Sequence, residues 1–430
     1  MNSIKKIVVQ MLTLESRLIL AKYKPFIVAV TGSVGKTSTK DAVYAVLKNK
    51  YNFARKSEKS LNSEIGLPLT VIGAPNAWHS MSGWISNIIQ GFVLMVVKKD
   101  YPNCLVLEVG ADHPGDIRKA AKWLKPDIAV ITKISKTPVH VEFFDSPEQV
   151  FEEKMALAKA VKDGGSVVLF ADDERMAAYP RWSNSSVLTF GENKGASVRG
   201  FDYEVYGVNE GLSFKINFDG RVETVKLKGA IGRQQMYPLL AAAAVGKAKG
   251  LSVDEILRGL YDYEPAPGRM RILEGVNGST VIDDSYNSSP DAAFSALMSL
   301  KDAKCGGRRI AVLGDMMELG KYSGEEHRKL GREAVGCVDI LVTIGPRARA
   351  VAEEALKGGM APVSVKQFDS SVSAAPFVSA LAGAGDVILV KGSQAPRLEY
   401  VTKALLKNHE KAAKLLVRQE AEWLKRGPIV

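Results

Sequence analysis

The sequence predicts an α/β protein with two parts: a central P-loop-containing domain with a mostly parallel sheet, and a C-terminal Rossmann-like, doubly wound domain. Three observations predict it. The apolar run from Phe26 to Val30 ends in Thr31-Gly32-Ser33-Val34-Gly35-Lys36-Thr37-Ser38 and is followed by the helix-like DAVYAVLKNK, giving strand, glycine loop and helix. Strand-like runs then end at Glu108 (CLVLEVG), Thr132 (DIAVIT) and Ala171 (GSVVLFA), with helix-like stretches between them, an alternation that packs as a parallel sheet flanked by helices. After YEPAPGRMR, whose prolines and glycine interrupt the pattern, the alternation restarts.

Ile4, Ile7, Val8, Met11, Leu12, Leu14 and Leu18 recur near helical spacing, which predicts an amphipathic helix within residues 1–25. The central domain then runs over 26–267. Within it, Ala74 to Val97 carries no formal charge, and Trp84, Ile88, Phe92 and Val96 fall on one helical stripe followed by Lys98 and Lys99. Pro75, Asn76, His79, Asn87 and Gln90 are too polar for a bilayer span of ~20 apolar residues. The stretch reads either as a helix packed on the domain or as a membrane-surface contact. Residues 186–230 differ again: FDYEVYGV, LSFKINF and VETVKLKG alternate between Gly, Asn and Asp, predicting antiparallel strands appended to the sheet. In the C-terminal domain, 268–406, STVIDDSY, RRIAVLGD, DILVTIG, VSVKQF and DVILVKGS are the strand candidates. A charged helix is expected over 407–430.

The 430 residues imply two or three domains, and 46% hydrophobic with 24% charged residues is a folded profile without low-complexity tracts. Cys104, Cys305 and Cys337 are odd in number and form no CxxC pattern, so they read as free thiols in a reducing compartment. Glu15 and Arg17 interrupt the apolar N-terminus, which argues against a signal peptide. The net charge of +11 favours anionic partners. Much of it is terminal: residues 1–24 hold five Lys/Arg against one acid, and 403–426 seven against three. With no recognition module in the chain, that distribution argues against nucleic acid.

The segment from Thr31 to Ser38 carries the strongest chemical signal. Gly32, Ser33 and Gly35 let backbone N–H groups turn toward phosphate oxygens, Lys36 neutralises phosphate charge, and the Thr37 hydroxyl can hold Mg²⁺, with Ser38 continuing the helix. The usual first glycine is replaced by Val30, so this is a shortened P-loop.

That variant, TGxxGKTS, resembles the Mur ligase and folylpolyglutamate synthase superfamily. Other segments match in order. Glu108 in LEVGA resembles the family's metal-binding glutamate, and His140 in PVHVEFF the histidine that helps bind a second Mg²⁺. Lys154 in SPEQVFEEKMAL lies eight residues after Ser146, as does the lysine that Mur ligases carbamylate with CO₂. Asn62 in LNSEIGLPLT matches a motif near the phosphate loop. In the second half the resemblance narrows to the branch that adds D-alanyl-D-alanine. Gly268-Arg269 is similar to the hinge GR whose arginine contacts ATP phosphate. The segment DDSYNSSP resembles that branch's DDSYNANP, in which an acid, here Asp284, and the asparagine, here Asn287, help hold the nucleoside. GDMMELG, His327 and VKGS with Lys391 complete the pattern.

The resemblance spans roughly residues 26 to 406. Members of this branch begin with a domain that grips the uridine diphosphate part of the substrate; about 25 residues precede the first strand here, so the resemblance implies a form lacking it. After the central GR, the family's histidine and asparagine are replaced by Gln234 and Gln235. The resemblance implies ATP, two Mg²⁺ ions and a carbamate on Lys154 as cofactors. Its catalytic residues would be Lys36, His140 and Lys154, and its metal ligands Thr37, Glu108, His140 and Lys154. Its nucleotide contacts would be the loop with Arg269, Asp284, Asn287 and Lys391. The implied partners are a nucleotide-linked sugar peptide acceptor and D-alanyl-D-alanine or a similar amine. The expected location is cytoplasmic, with peripheral contact at the inner membrane surface. Two other readings stay open: a Mur-like ligase joining an amino acid to another carboxylate, and a non-catalytic ATP-dependent scaffold at the membrane surface.

Overall fold

The computed structural model describes residues 3–428 except 59–60, 79, 139, 178–184 and 208–209, so His79 and the side chain of Ile4 lie outside the described residues. The chain enters through α1 (Ser3–Tyr23) and passes into β1 (Phe26–Thr31), buried almost throughout because its residues are apolar or small. The phosphate loop leads into α2 (Lys36–Leu47), followed by β2 (Ala54–Lys56), α3 (Gly66–Ile72), α4 (Met81–Val96), β3 (Cys104–Glu108), α5 (Asp116–Leu124) and β4 (Ile128–Ile131). Then come α6 (Pro147–Met155), β5 (Ser166–Phe170), α7 (Glu174–Ala177), β6 (Ser186–Gly191), β7 (Val198–Gly207), β8 (Gly211–Phe218), β9 (Arg221–Lys228), α8 (Met236–Ala248) and α9 (Val253–Tyr261).

Among the described residues these strands form one nine-stranded sheet, ordered β2-β3-β1-β4-β5-β6-β7-β8-β9. The expectation of antiparallel strands from residue 186 needs correction. β6 pairs in parallel with β5 from Ser186 to Phe190 and in parallel with β7 at its end, and the antiparallel pairs are β7 with β8 and β8 with β9. α8 packs against α2, and its run from Leu239 to Val245 is fully buried, the alanines allowing close approach.

The second domain comprises β10 (Arg271–Glu274), β11 (Thr280–Asp284), α10 (Pro290–Asp302), β12 (Arg309–Gly314), α11 (Ser323–Ala334), β13 (Ile340–Ile344), α12 (Arg349–Lys357), β14 (Val365–Phe368), α13 (Ser371–Leu381), β15 (Val387–Lys391) and α14 (Glu399–Leu405). Its sheet order is β10-β11-β15-β12-β13-β14, parallel except for β10, a short strand with no clear signal in the sequence. Alternate residues of β12 enter opposite cores, Ala311 and Leu313 on one face and Ile310 and Val312 on the other. Helices therefore cover both faces of this sheet.

The expected charged helix over 407–430 is not continuous. Short helices at Ala412–Leu415 and Ala421–Leu424 flank Arg418, whose φ of +56° breaks the helix. The apolar stripe of α4 also differs from the one read in the sequence. Trp84 and Ile88 are half-buried against the core, where Gly91 and Leu94 are also buried, and the outer face carries Met81, Ile85, Ile89, Phe92 and Val96. On α1, which packs beside α4, Ile7, Met11, Leu14 and Leu18 are likewise exposed, while Leu12 and Ile19 are buried.

Candidate active site

The carboxyl ends of strands from both sheets converge on one region, the usual place for ligands in open α/β sheets. β1 ends in the phosphate loop, β3 at Glu108, β11 at Asp284 and β15 at Lys391. Gly32 has a φ of +147°, and a Cβ there would lie 1.9 Å from Thr132 Oγ1, so glycine alone fits against the end of β4. Ser33 and Val34 donate their N–H groups to Lys133 O at 2.9 and 3.1 Å, which pins the loop. Gly35, left-handed at φ +85°, starts α2 and points that helix's free N–H groups and dipole into the cavity. Lys36 curls over the loop, its Nζ donating to Gly32 O at 3.0 Å. Burial lowers the Lys36 pKa; Glu108 opposes that shift and Arg269 reinforces it.

Glu108 is 7% exposed and receives the Asn62 amide on Oε1 at 3.1 Å, which orients the carboxylate and leaves its other oxygen free of that bond. Across the cavity, Arg269 donates from Nη2 to Thr37 Oγ1 at 3.2 Å, and its guanidinium lies 4.1 Å from the Tyr286 ring centre. Gly268 and Met270 on either side of it are left-handed, with φ of +68° and +56°. Their N–H groups are held by Asp283 Oδ2 at 3.1 Å and Asp284 Oδ1 at 3.2 Å. Burial pushes the Asp283 carboxyl up to about 6.

Lys36, Thr37, Glu108 and His140 from the first domain face Arg269, Asn287 and Ser393 from the second across a cavity of about 880 Å³. Ser33 Oγ and Arg269 Nε are buried there with no hydrogen-bond partner among the described residues. Such orphaned polar atoms beside a helix N-terminus are what an anion would satisfy. Among the described residues no three His, Cys, Asp or Glu side chains form a ready metal cage. Mg²⁺ does not require one, since one or two carboxylates with phosphate oxygens and water commonly hold it. Thr37 and Glu108 fit that donor set.

Several residues singled out in the sequence sit behind this wall. Ser38 is buried in the first turn of α2. Lys391, 2% exposed, donates to Asp284 Oδ2 at 2.7 Å and to Asn287 O at 3.0 Å, so the pair braces the loop that presents Asn287. Lys154 is buried on α6, where burial and the nearby Lys36 charge push its ammonium down to about 7. The neighbouring Glu153 is spent on structure, its Oε1 accepting the Ile117 and Arg118 N–H groups of α5 at 2.8 and 3.1 Å. His327 is structural: its Nε2 accepts from Met316 N at 3.0 Å and its Nδ1 lies 2.7 Å from Ser323 O, which sets a neutral ring with the proton on Nδ1. Gln235 donates to Arg269 O at 3.4 Å, and Gln234 accepts from Ser299 Oγ at 3.2 Å, so the replaced positions support the hinge and α10.

Other cavity residues were missed. Asp112 lies 3.8 Å from His140 Nε2, and Glu318 lies 2.8 Å from His140 Nδ1. Glu318 stands inside the GDMMELG segment, so the motif located it without revealing its partner. Trp423 and Arg426 also line the cavity. The tail reaches it because Glu399 is bonded to both Arg397 and Arg418, all three at most 5% exposed. Arg397 Nη1 then donates to Trp423 O and Arg426 O at 3.0 and 2.6 Å.

Comparison with known proteins matches both domains. The family model for the Mur ligase middle domain matches residues 30–82 and 87–246, and that for the Mur ligase glutamate ligase domain matches 268–394. The chain is 32% identical over 399 residues to a UDP-N-acetylmuramoyl-tripeptide--D-alanyl-D-alanine ligase of Mycobacterium tuberculosis (strain CDC 1551 / Oshkosh), covering 88% of this chain and 72% of that one. It is 27% identical over 387 residues to the Bacillus subtilis (strain 168) protein of the same name, covering 89% and 76%. Among solved structures, the MurF ligase from Thermotoga maritima in complex with ADP superposes with a TM-score of 0.76 at 28% identity, covering 94% of this chain and 84% of that one. MurF from Acinetobacter baumannii, at 24% identity and a TM-score of 0.74, shares the fold over 92% and 79%.

Proposed function

The chain belongs to the Mur ligase family, and on that premise we propose that it adds D-alanyl-D-alanine to a UDP-N-acetylmuramoyl-tripeptide acceptor in peptidoglycan precursor synthesis. It is an ATP-dependent ligase that forms an amide bond. The observation that carries the reading is the meeting of Lys36, Thr37 and Glu108 with Arg269 and Asn287 across one cavity.

In the proposed reaction, an acceptor carboxylate oxygen attacks the γ-phosphorus of ATP, the bond to the bridging oxygen breaks, and ADP leaves. Carboxylate is a poor acyl donor, and the acyl phosphate supplies the leaving group. The dipeptide amine then attacks the acyl carbon, phosphate departs, and the nitrogen loses its proton. Lys36, the loop N–H groups and Arg269 hold the phosphates in line and meet the charge that develops on them. Thr37 and Glu108, with His140 nearby, would hold Mg²⁺, which supplies further charge neutralisation at the transferring phosphoryl group. Asn287, fixed through Lys391 and Asp284, is proposed to contact the nucleoside.

Lys154 is proposed to be carbamylated. Its amine, with a pKa pushed down to about 7, is substantially unprotonated at neutral pH. The free amine attacks CO₂, a C–N bond forms and a proton leaves, converting a neutral buried amine into an anion beside Lys36. The acceptor of this reading is nucleotide-linked and the dipeptide is water-soluble, so the proposed place of action is the cytoplasm. Phosphate release with ATP, Mg²⁺ and bicarbonate tests the reading, with UDP-N-acetylmuramoyl-tripeptide and D-alanyl-D-alanine supplied separately and together. Release only with both, and a product of the ligated mass, is expected; release with neither, by a protein that binds ATP, would refute the acceptor.

A further inference from the structure

We propose that the joint outer face of α1 and α4 is a contact for an anionic membrane surface. The two helices end together: Lys22 Nζ donates to the carbonyls of Leu94, Met95 and Val97 at 2.9, 3.0 and 2.8 Å, and Tyr23 Oη to those of Leu94 and Val97. Their exposed stripes therefore lie side by side as one apolar face, with Leu14 and Ile89 55% and 56% exposed. Single exposed apolar residues need no explanation, but a contiguous face does.

Charge identifies what covers it. No residue from Ala74 to Val97 is charged, and the one acid of α1, Glu15, is buried and turned inward onto Gly91, where a Cβ would lie 2.1 Å from its Oε2. The rim is basic. Lys5, Lys6 and Arg17 are exposed along α1, and Lys22, Lys24, Lys98 and Lys99 gather where the helices end. Asp100 follows Lys98 and Lys99, and Glu64 lies 3.7 Å from Lys5, leaving the rim net positive. Apolar stripes bordered by Lys and Arg suit a helix pair lying in the headgroup plane, with lysines on anionic lipid. Among the described residues no helix is long and apolar enough to cross a membrane, consistent with lying on the surface. A second copy paired through the same face would bring two basic rims together, which disfavours that occupant.

Flotation of the full chain with vesicles of phosphatidylcholine alone, or with about 30% phosphatidylglycerol, tests the proposal. Binding to the anionic vesicles only, weakened by salt, is expected. Lys98→Glu with Lys99→Glu should lower partitioning roughly five-fold per lysine, and Ile89→Ser with Phe92→Ser by about ten-fold or more. Those four side chains are exposed, so melting temperature should hold and serve as the control for folding. Absence of binding to anionic vesicles overturns the proposal, as does equal binding to neutral ones or binding that survives both variants. A concentration-dependent dimer abolished by Ile89→Ser with Phe92→Ser, without vesicle binding, would assign the face to a second copy instead.

Discussion

His140 Nδ1 lies 2.8 Å from Glu318 Oε2, and the two residues come from different domains, each at a left-handed φ, +68° and +63°. The contact holds the Glu318 carboxyl below the usual carboxylate range. Its stabilisation is therefore present above the ordinary carboxylate pKa and is lost as pH falls through the depressed folded value. Because Glu318 is 39% and His140 21% exposed, Glu318→Gln should cost less than about 1 kcal/mol in stability. The larger expected effect is on assembly of the cavity: a higher KM for ATP at pH 7.5, measured by phosphate release, with a melting temperature close to that of the unchanged protein. A KM equal to the parent's would show that the latch is dispensable.

Lys154→Ala should lower turnover by at least about 100-fold while leaving ATP affinity within roughly three-fold, as expected for a group needed in the transition state rather than in nucleotide binding. In CO₂-depleted buffer the unmodified chain should lose activity and regain it with bicarbonate. The recovery should steepen as pH rises through about 7, where the Lys154 amine deprotonates. Near-normal turnover of the variant would remove the lysine from the mechanism.

Glu15 sits between α1 and α4 with Oε2 buried and without a hydrogen-bond partner among the described residues, and burial pushes its carboxyl up to about 7. For an acid with a raised folded pKa, the folded state holds the extra proton, so stability is greatest at low pH and declines between about 4.5 and 7. Glu15→Gln should therefore raise stability at pH 8 by about 2 kcal/mol and flatten its pH dependence over that window. Denaturant melts at pH 5 and pH 8 provide the check, and an unchanged difference between the two would assign the pH dependence elsewhere.

Glu399 is shared by two buried arginines, so Glu399→Ala leaves both guanidinium groups uncompensated and should cost about 3 kcal/mol. It should also release the tail bearing Trp423 and Arg426. Limited proteolysis within 408–428 at a temperature well below the melt, with a raised KM for a substrate, is the expected signature; protection equal to the parent's would show the tail held by other contacts.

The fold was readable where period and punctuation agree. β1, β11, β12 and β15 are short apolar runs ended by glycine or acid, and the P-loop needs glycine where Thr132 leaves no space for a Cβ. What the sequence concealed depends on distant partners. Nothing local marks β10, four residues that become a strand by pairing with β11. The charge-rich tail reads as a helix, yet Glu399 draws Arg397 and Arg418 inward and bends it into short turns. Likewise the stripe on α4 differs from the one its spacing suggests, because Trp84 packs toward the core and Ile85 faces outward, a choice made by tertiary packing. Of the candidate site, the segments that line the cavity were legible as motifs, whereas the pairing of His140 with Glu318 joins residues 178 positions apart (318 − 140).

The hinge itself passes through the chemistry. Arg269 stands between two left-handed residues whose N–H groups are gripped by Asp283 and Asp284, and it also reaches Thr37. A door moves least beside its pivot. Rotation of the C-terminal domain about this point would displace Arg269 little, so Arg269 would keep its place against Thr37 while the His140–Glu318 contact between the domains is made or broken. Closure would then complete the phosphate site by bringing Glu318 to His140, with Arg269 already in place near the axis.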